Sequence, residues 1–303
     1  MNEGAPRIRI KIAPLNLARA RRWGDWFFAL SLAEALRGFG HDVAVETRDL
    51  WDHESREGDI ALVLRGFGGY RPRPGLVSLM WIISHPGNVR PEELEPYHHV
   101  FTASVKHKRK LRKLIGPRVS TLFQAHDPAI MNPDVEPIPS GLLYVGNNRR
   151  GGRPALDLAA AAGFNVSLWG AGWAEHPVHA RSLKGAFIPN AELGRHYAGA
   201  RAVLNDTWRD MRLAGFPSNR VFDALAAGAP LVSDAVPGTP EELQPWIHAW
   251  ERAEDFPAAV EAALAEGEER RAARRAFAKE VNARHSFRAR AAEISAKARE
   301  LVG

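Results

Sequence analysis

The sequence predicts an α/β protein built from two doubly wound, parallel-sheet domains that face a cleft, with helices at the C-terminal end. Three observations predict it. At 303 residues the chain is longer than a single hydrophobic core usually grows, so two domains are expected. Short apolar runs alternate with helical stretches along most of its length, the pattern of a parallel sheet covered by helices. The alternation breaks once, at Gln124–Ser140, where four prolines and little periodicity mark a linker. The expected domains are residues 1–130 and 141–285, with 286–303 a helix packing back on the first.

The elements follow in order. Arg7–Ala13 alternates apolar and basic residues as a strand does, and a loop with Pro14, Asn16 and Gly24 follows it. Trp26–Phe39 carries apolar residues at helical spacing and Gly40 stops it. Val43–Thr47, Asp59–Leu64, Leu76–Ile83, His99–Ala103 and Val119–Phe123 read as five further strands, with a basic helix over Val105–Ile115. The second half restarts with a strand at Gly141–Val145, a glycine-rich loop from Gly146 to Gly152, and a helix over Pro154–Ala162 that begins with proline. Strands at Phe164–Trp169, Arg201–Asn205 and Pro230–Ser233 alternate with helices at Ala191–Ala200 and Asn219–Ala227, and Asp255 to the end is helical. In such folds a ligand is expected at the carboxyl ends of the strands.

Bulk properties narrow the function. There is no cysteine, which excludes disulfides, thiolate chemistry and cysteine-ligated metal centres. Apolar stretches such as Leu79–Ile83 are too short to span a bilayer, and the N-terminus has no long apolar signal-like core. The expectation is a cytoplasmic protein, at most peripheral to the inner face of a membrane. A formal net charge of +6 and a sequence pI near 9.8 suit a polyanionic partner. Seven Lys or Arg fall within Lys106–Arg118 without an intervening acid. The Lys106–Lys113 helix reads as a docking face for anionic lipid, as a site for a phosphorylated acceptor, or as a solvated face. It holds no aromatic residue, so nucleic acid is not expected as a partner.

Four groups of residues carry the chemistry. In Gly215–Pro240, a loop opens onto the helix that holds Asp223. A helix N-terminus offers free N–H groups and a positive dipole end to a diphosphate. Ser218 or Asn219 can cap that helix, Arg220 adds a cation, and Asp223 one turn on can accept both hydroxyls of a ribose. The same segment also reads as an ordinary capped helix with Asp223 in solvent. In the loop from Gly146 to Arg153, Gly146, Asn147 and Asn148 permit a tight turn, and Arg149 and Arg150 can neutralise a diphosphate. Gly24 and Asp25 sit at the first strand-to-helix junction, where Asp25 is either a helix N-cap or a functional acid. His85 follows the strand Leu76–Ile83 in the loop Ser84–Gly87, placed to meet a ligand. No set of His and acidic residues shows metal-ligand spacing, and neither a metal nor a further cofactor is expected.

Residues Ala214–Leu243, reading AGFPSNRVFDALAAGAPLVSDAVPGTPEEL, resemble the nucleotide-sugar segment of retaining GT-B glycosyltransferases. They are closer to the spore-maturation-type subgroup, whose helix reads Arg-Val-Phe-Glu-Ala-Leu-Ala-x-Gly. Trp81–Ser104 is similar to the N-terminal half of that subgroup, so the resemblance covers both domains. It implies two Rossmann-like domains, a nucleoside-diphosphate sugar as donor, and a glycan, lipid-linked or protein acceptor. It also implies retention of configuration without a metal, Asp223 on the nucleotide ribose, basic residues after the Val145-Gly146 pair, and Asp25 and His85 as the catalytic residues. Two departures stand out. Asp replaces the family's Glu at position 223, and Ala214 and Gly215 stand about where the family has its first acid, which contacts the transferred sugar. The alternatives are a non-catalytic sensor of nucleotide sugars and a nucleotide-sugar epimerase of the same fold.

Overall fold

Ile8, Ile10 and Ile12 are fully buried, which turns the first alternating run into a strand, β1 (Ile8–Lys11). The computed structural model describes residues 5–21, 23–51, 59–149 and 152–303. Within them five more strands complete the first sheet: β2 (Val43–Glu46), β3 (Ile60–Arg65), β4 (Val77–Ile82), β5 (His99–Thr102) and β6 (Val119–Thr121). Their order is β2-β1-β3-β4-β5-β6, and every neighbouring pair is parallel. Burial on both faces explains why β3 is apolar almost throughout. Lys11 is the exception to the alternation of β1: it is fully buried, ion-paired with Glu46, and donates to the Trp51 carbonyl at 2.9 Å.

The chain leaves β1 for β2 on one side and returns to β3 on the other, so the winding reverses between β1 and β3. The crevice at such a reversal is where open parallel sheets take their ligands.

Two later segments complete this unit, which comprises residues 1–125, 208–217 and 285–303. The helix Phe287–Val302 buries Phe287, Ala291, Ile294 and Ala298 in the same core as the helix Gly24–Arg37, and its Arg290 donates to the Phe123 carbonyl at 2.8 Å. The short helix Arg209–Ala214 buries Met211, and Phe216 follows it into the core. Its C-terminal carbonyls are satisfied from outside, by Ser104 Oγ on Ala214 at 2.6 Å and by Lys106 Nζ on Leu213 at 2.8 Å.

The second unit, residues 126–207 and 218–284, holds β7 (Gly141–Val145), β8 (Val166–Trp169), β9 (Leu183–Gly185), β10 (Ala200–Asn205), β11 (Leu231–Asp234) and β12 (Ile247–Trp250). The order is β12-β11-β10-β7-β8-β9, again parallel throughout, with the reversal between β7 and β10. The two edge strands, β9 and β12, are absent from the sequence-based reading. Each is short and half-exposed, so neither shows the apolar run that marks a central strand. The proline-rich stretch after residue 126 is not a free linker. It lies on this unit, where the carbonyls of Ile130 and Ile138 pack so tightly on Gly194 and Gly199 that a Cβ there would sit 1.8 and 2.1 Å from them.

Among the described residues no helix is long and apolar enough to cross a membrane.

Candidate functional site

The reversal between β7 and β10 collects most of the residues expected to bind a donor. β7 ends at Val145 and runs into Gly146; β10 ends at Asn205 and Asp206. Arg220, in the first turn of the helix Asn219–Ala226, reaches across both. Its guanidinium donates to Asn205 Oδ1 at 2.8 Å and to the Val145 carbonyl, and it lies 4.9 Å over the Tyr144 ring. Arg149 and Arg153 converge on one oxygen of Asp206, each at 3.2 Å, and Tyr144 donates to the same oxygen at 3.0 Å. The other Asp206 oxygen is buried and has no hydrogen-bond partner among the described residues, and so are Arg220 Nε and Asn219 Oδ1. Buried polar atoms of this kind need a partner, and a polar ligand supplies one.

Gly146 sits inside this set. A Cβ there would meet Tyr144 and Arg153 at 3.1 Å and Arg220 at 3.3 Å. Gly170 is fixed more strictly: its φ is +152°, and a Cβ would fall 2.2 Å from the Gly146 carbonyl. Asn147 and Asn148 tie that neighbouring turn down. Asn147 Oδ1 accepts from the Ala171 N–H at 2.9 Å, and Asn148 Nδ2 donates to the Gly172 carbonyl at 2.9 Å. Their side chains therefore shape the loop, and the charges facing the reversal come from Arg149 and Arg153. Arg150 lies outside the described residues.

Ser218 occupies the N-cap position of the Asn219–Ala226 helix, but its hydroxyl makes no capping bond. It donates instead to Asn205 Oδ1 at 2.8 Å, because the Asn205 oxygen gathers both Ser218 and Arg220. Asn219 does not cap either: its amide donates to Asp223 Oδ2 at 2.8 Å. Asp223 is half-buried and crowded by protein atoms. Desolvation lifts its carboxyl from 3.8 to about 7, against the Asn219 hydrogen bond and the Arg220 charge and with the help of Asp127.

The first unit holds the two residues expected to be catalytic. The helix over the β1 reversal begins at Gly24 rather than Trp26, with Trp23 as its N-cap residue. Asp25 is thus inside the first turn and is not the cap. Desolvation raises its carboxyl to about 6, partly offset by a hydrogen bond from its own backbone N–H. Gly66, just after β3, lets two side chains close in: a Cβ there would lie 3.1 Å from Ser84 Oγ and 3.4 Å from Asp25 Oδ2. Ser84 Oγ in turn lies 2.9 Å from His85 Nδ1. His85 has φ of 51°, the left-handed region, and no other described non-glycine residue has a positive φ. It is 7 % exposed, with its ring 3.8 Å from that of Phe67 and tilted by 36°, and 5.0 Å from Trp208. Gly24 meets nothing within 4 Å where its Cβ would be.

The basic helix Val105–Ile115 buries only His107 and Leu111. Lys106, Arg109, Lys110, Arg112 and Lys113 are exposed, as is Leu114. Among the described residues no group of three or more His or acidic side chains is placed to hold a metal ion.

Sequence reasoning passed over Asp206, Asn205, Tyr144 and Arg153. The signal for the first two was present: a polar pair closing an otherwise apolar strand, at the carboxyl end where ligands bind.

Residues 149–296, just under half of the chain, match the family model described as glycosyl transferase-like. No curated protein matches the chain closely in sequence. Solved structures match its fold over nearly the whole length. Sucrose-phosphate synthase from Thermosynechococcus elongatus is 14% identical, with 98% of this chain and 99% of that one covered at a TM-score of 0.68. AviGT4, a glycosyltransferase involved in avilamycin A biosynthesis, is 16% identical, with 98% of each chain covered and a TM-score of 0.67. WaaG, a glycosyltransferase involved in lipopolysaccharide biosynthesis, is 12% identical over 95% of this chain and 98% of that one, at a TM-score of 0.59. At such identities the likeness is one of fold, and the fold is GT-B.

Proposed function

We propose that this chain, which has the GT-B fold and matches a glycosyl transferase-like family model over residues 149–296, moves a hexose-type sugar from a nucleoside diphosphate to a glycan, lipid-linked or protein acceptor. The carrying observation is the reversal between β7 and β10. Three arginines, a helix N-terminus and the Asp223 carboxylate meet there around polar atoms that lack partners.

In this reading Arg149 and Arg153 neutralise the diphosphate, and the first N–H groups of the Asn219–Ala226 helix add to them. Arg220 anchors the loop on which the diphosphate rests. Asp223 accepts the ribose hydroxyls, with Asn219 holding its carboxylate in place. As the glycosidic bond breaks, negative charge grows on the leaving diphosphate, and fixed guanidinium groups stabilise it without reorganising. The chemistry then proceeds without a metal or a further cofactor. In the first unit Asp25 receives the acceptor's proton and His85 orients the transferred sugar, with retention of configuration. The exposed charges of residues 106–113 support a peripheral contact with anionic lipid at the inner face of a membrane, where a lipid-linked acceptor resides.

A thermal-shift series with UDP-, GDP-, dTDP- and CDP-sugars tests the donor site, because a ligand that binds only the folded state raises the melting temperature. Asp223→Ala is expected to remove that shift while moving the unliganded melting temperature by no more than a degree or two, roughly the change of a minor surface substitution. Unchanged binding by the variant contradicts the assignment.

A further inference from the structure

Two aromatic side chains of the first unit are exposed at the reversal between β1 and β3. Trp23, ahead of the helix that follows β1, is 41% exposed, and Phe67, just after β3, is 51% exposed. Soluble proteins seldom leave large aromatic faces open side by side without a use for them. These two are 5.9 Å apart and meet at 77°, so they form a corner rather than a flat patch.

The corner is built and not merely left over. Phe67 is backed by His85 at 3.8 Å and flanked edge-on by Trp208 at 6.2 Å. His85 holds that contact from a left-handed backbone conformation, which costs of order 1–3 kcal/mol and persists where surrounding contacts enforce it. Ser84, Asp25 and the bare α-carbon of Gly66 form the polar floor next to the rings.

We propose that Trp23 and Phe67 form a stacking subsite for a pyranose ring of the acceptor, with Asp25 accepting a hydroxyl of that ring. The inference rests on the glycosyltransferase reading and adds the chemical class of the acceptor at this position. A β-hexopyranoside of the gluco or galacto type presents H1, H3 and H5 on one apolar face and carries its O–H groups at the rim or on the opposite face. The aromatic corner takes the apolar face, and the half-buried carboxylate takes a rim hydroxyl. A phosphate fits poorly, because a carboxylate with a pKa of about 6 is mostly ionised at neutral pH and repels it. The location agrees with the place where parallel sheets bind ligands.

Saturation-transfer NMR on the full chain with methyl β-D-glucopyranoside and methyl β-D-galactopyranoside tests the subsite. Transfer is expected mainly to H1, H3 and H5, the protons of the apolar face. Trp23→Ala and Phe67→Ala are each expected to reduce it about fivefold, the loss that removing one stacking ring brings. Trp23→Phe and Phe67→Tyr should keep most of it, which separates ring stacking from disturbance of the loop. All four variants should melt with the parent and keep the parent's shift with a nucleoside diphosphate. Undiminished transfer in the double alanine variant overturns the subsite, and so does transfer to phenol with none to either glycoside. Loss of nucleotide binding by the parent would instead strike the donor reading, and it is read separately in the same samples.

Discussion

The two sheets reverse their winding in the same way, yet the residues placed at the two reversals have little in common. Between β7 and β10 the second unit puts three arginines, an asparagine, an aspartate and a tyrosine, tied to one another and to the ends of both strands. Between β1 and β3 the first unit puts two exposed rings, a histidine packed on one of them and one half-buried carboxylate. The charged set holds its own loops together, so under the proposed function ligand binding and local stability draw on the same side chains. The aromatic set is exposed and can be altered with less consequence for the fold. Under the proposed function the first of these sites takes a polyanion and the second a neutral, hydroxylated ring, the division of labour that a transfer between two substrates requires.

The largest expected effect follows from that contrast. Arg220→Met keeps the length of the side chain and removes the guanidinium. The Val145 carbonyl loses its partner and Asn205 Oδ1 loses one of two. Stability should fall by about 3 kcal/mol, as when a buried charged group's hydrogen bonds are deleted, and nucleoside-diphosphate binding should disappear with it. Urea unfolding and a nucleotide titration measure both. The Trp23 and Phe67 variants should show neither loss. Equal destabilisation from both sets would erase the contrast.

A smaller effect separates the two carboxylates. Each has a folded pKa raised above the ordinary 3.8, to about 7 for Asp223 and about 6 for Asp25. A carboxyl of this kind holds its proton more tightly in the folded state. Its contribution to stability is therefore fully present below the unfolded pKa, is lost as pH rises to the folded pKa, and is level above it. Asp223→Asn should flatten the wild-type decline from about pH 4 to about pH 7, and Asp25→Asn only the part that ends near pH 6. Urea midpoints at half-unit pH intervals resolve the difference. Coincident profiles for the two variants would mean that the sites do not differ in how they crowd a carboxylate. Nucleotide affinity should rise through about pH 7 as Asp223 ionises, because only the carboxylate accepts two ribose hydroxyls.

How much of this was legible in the sequence varies with the physics involved. All six strands of the first sheet are legible: β3 and β4 as apolar runs buried on both faces, β1 as an alternation of apolar and basic residues, and even the part-exposed edges β2 and β6. The edge strands β9 and β12 are not, since each is three or four residues long, half-exposed and interrupted by Lys184 or His248. The excursion of residues 208–217 into the first unit is also invisible. Met211 and Phe216 look like any apolar pair, and only the tertiary structure shows which core they enter. At the candidate site, Arg220 and Asp223 were readable from their place at a helix start after a loop. The partnership of Arg149 and Arg153 with Asp206 was not, because it joins positions more than fifty residues apart. Ser218 shows the opposite case: the local signal for a cap is sound, but the nearby Asn205 oxygen offers its hydroxyl a different acceptor.

The smallest expected effect concerns Gly24, a residue of the first reversal that is expected to act through its backbone. It is the first residue of the Gly24–Arg37 helix, its backbone is not in the left-handed region, and a Cβ would meet nothing within 4 Å. Nothing in the fold therefore requires glycine there. Gly24→Ala should leave the melting temperature unchanged or raise it slightly, since alanine gains at most about 0.5–1 kcal/mol over glycine within a helix and less in its first turn. If substrate approaches the backbone beside Trp23 and Asp25, the added methyl group occupies that approach, and kcat/KM should fall a few-fold at unchanged stability. A larger substitution, Gly24→Val, should deepen the loss in proportion to its bulk. Undiminished kcat/KM in both variants would make Gly24 an incidental helix start and move the ligand away from the helix end, leaving the rings and Asp25 to define the acceptor side alone.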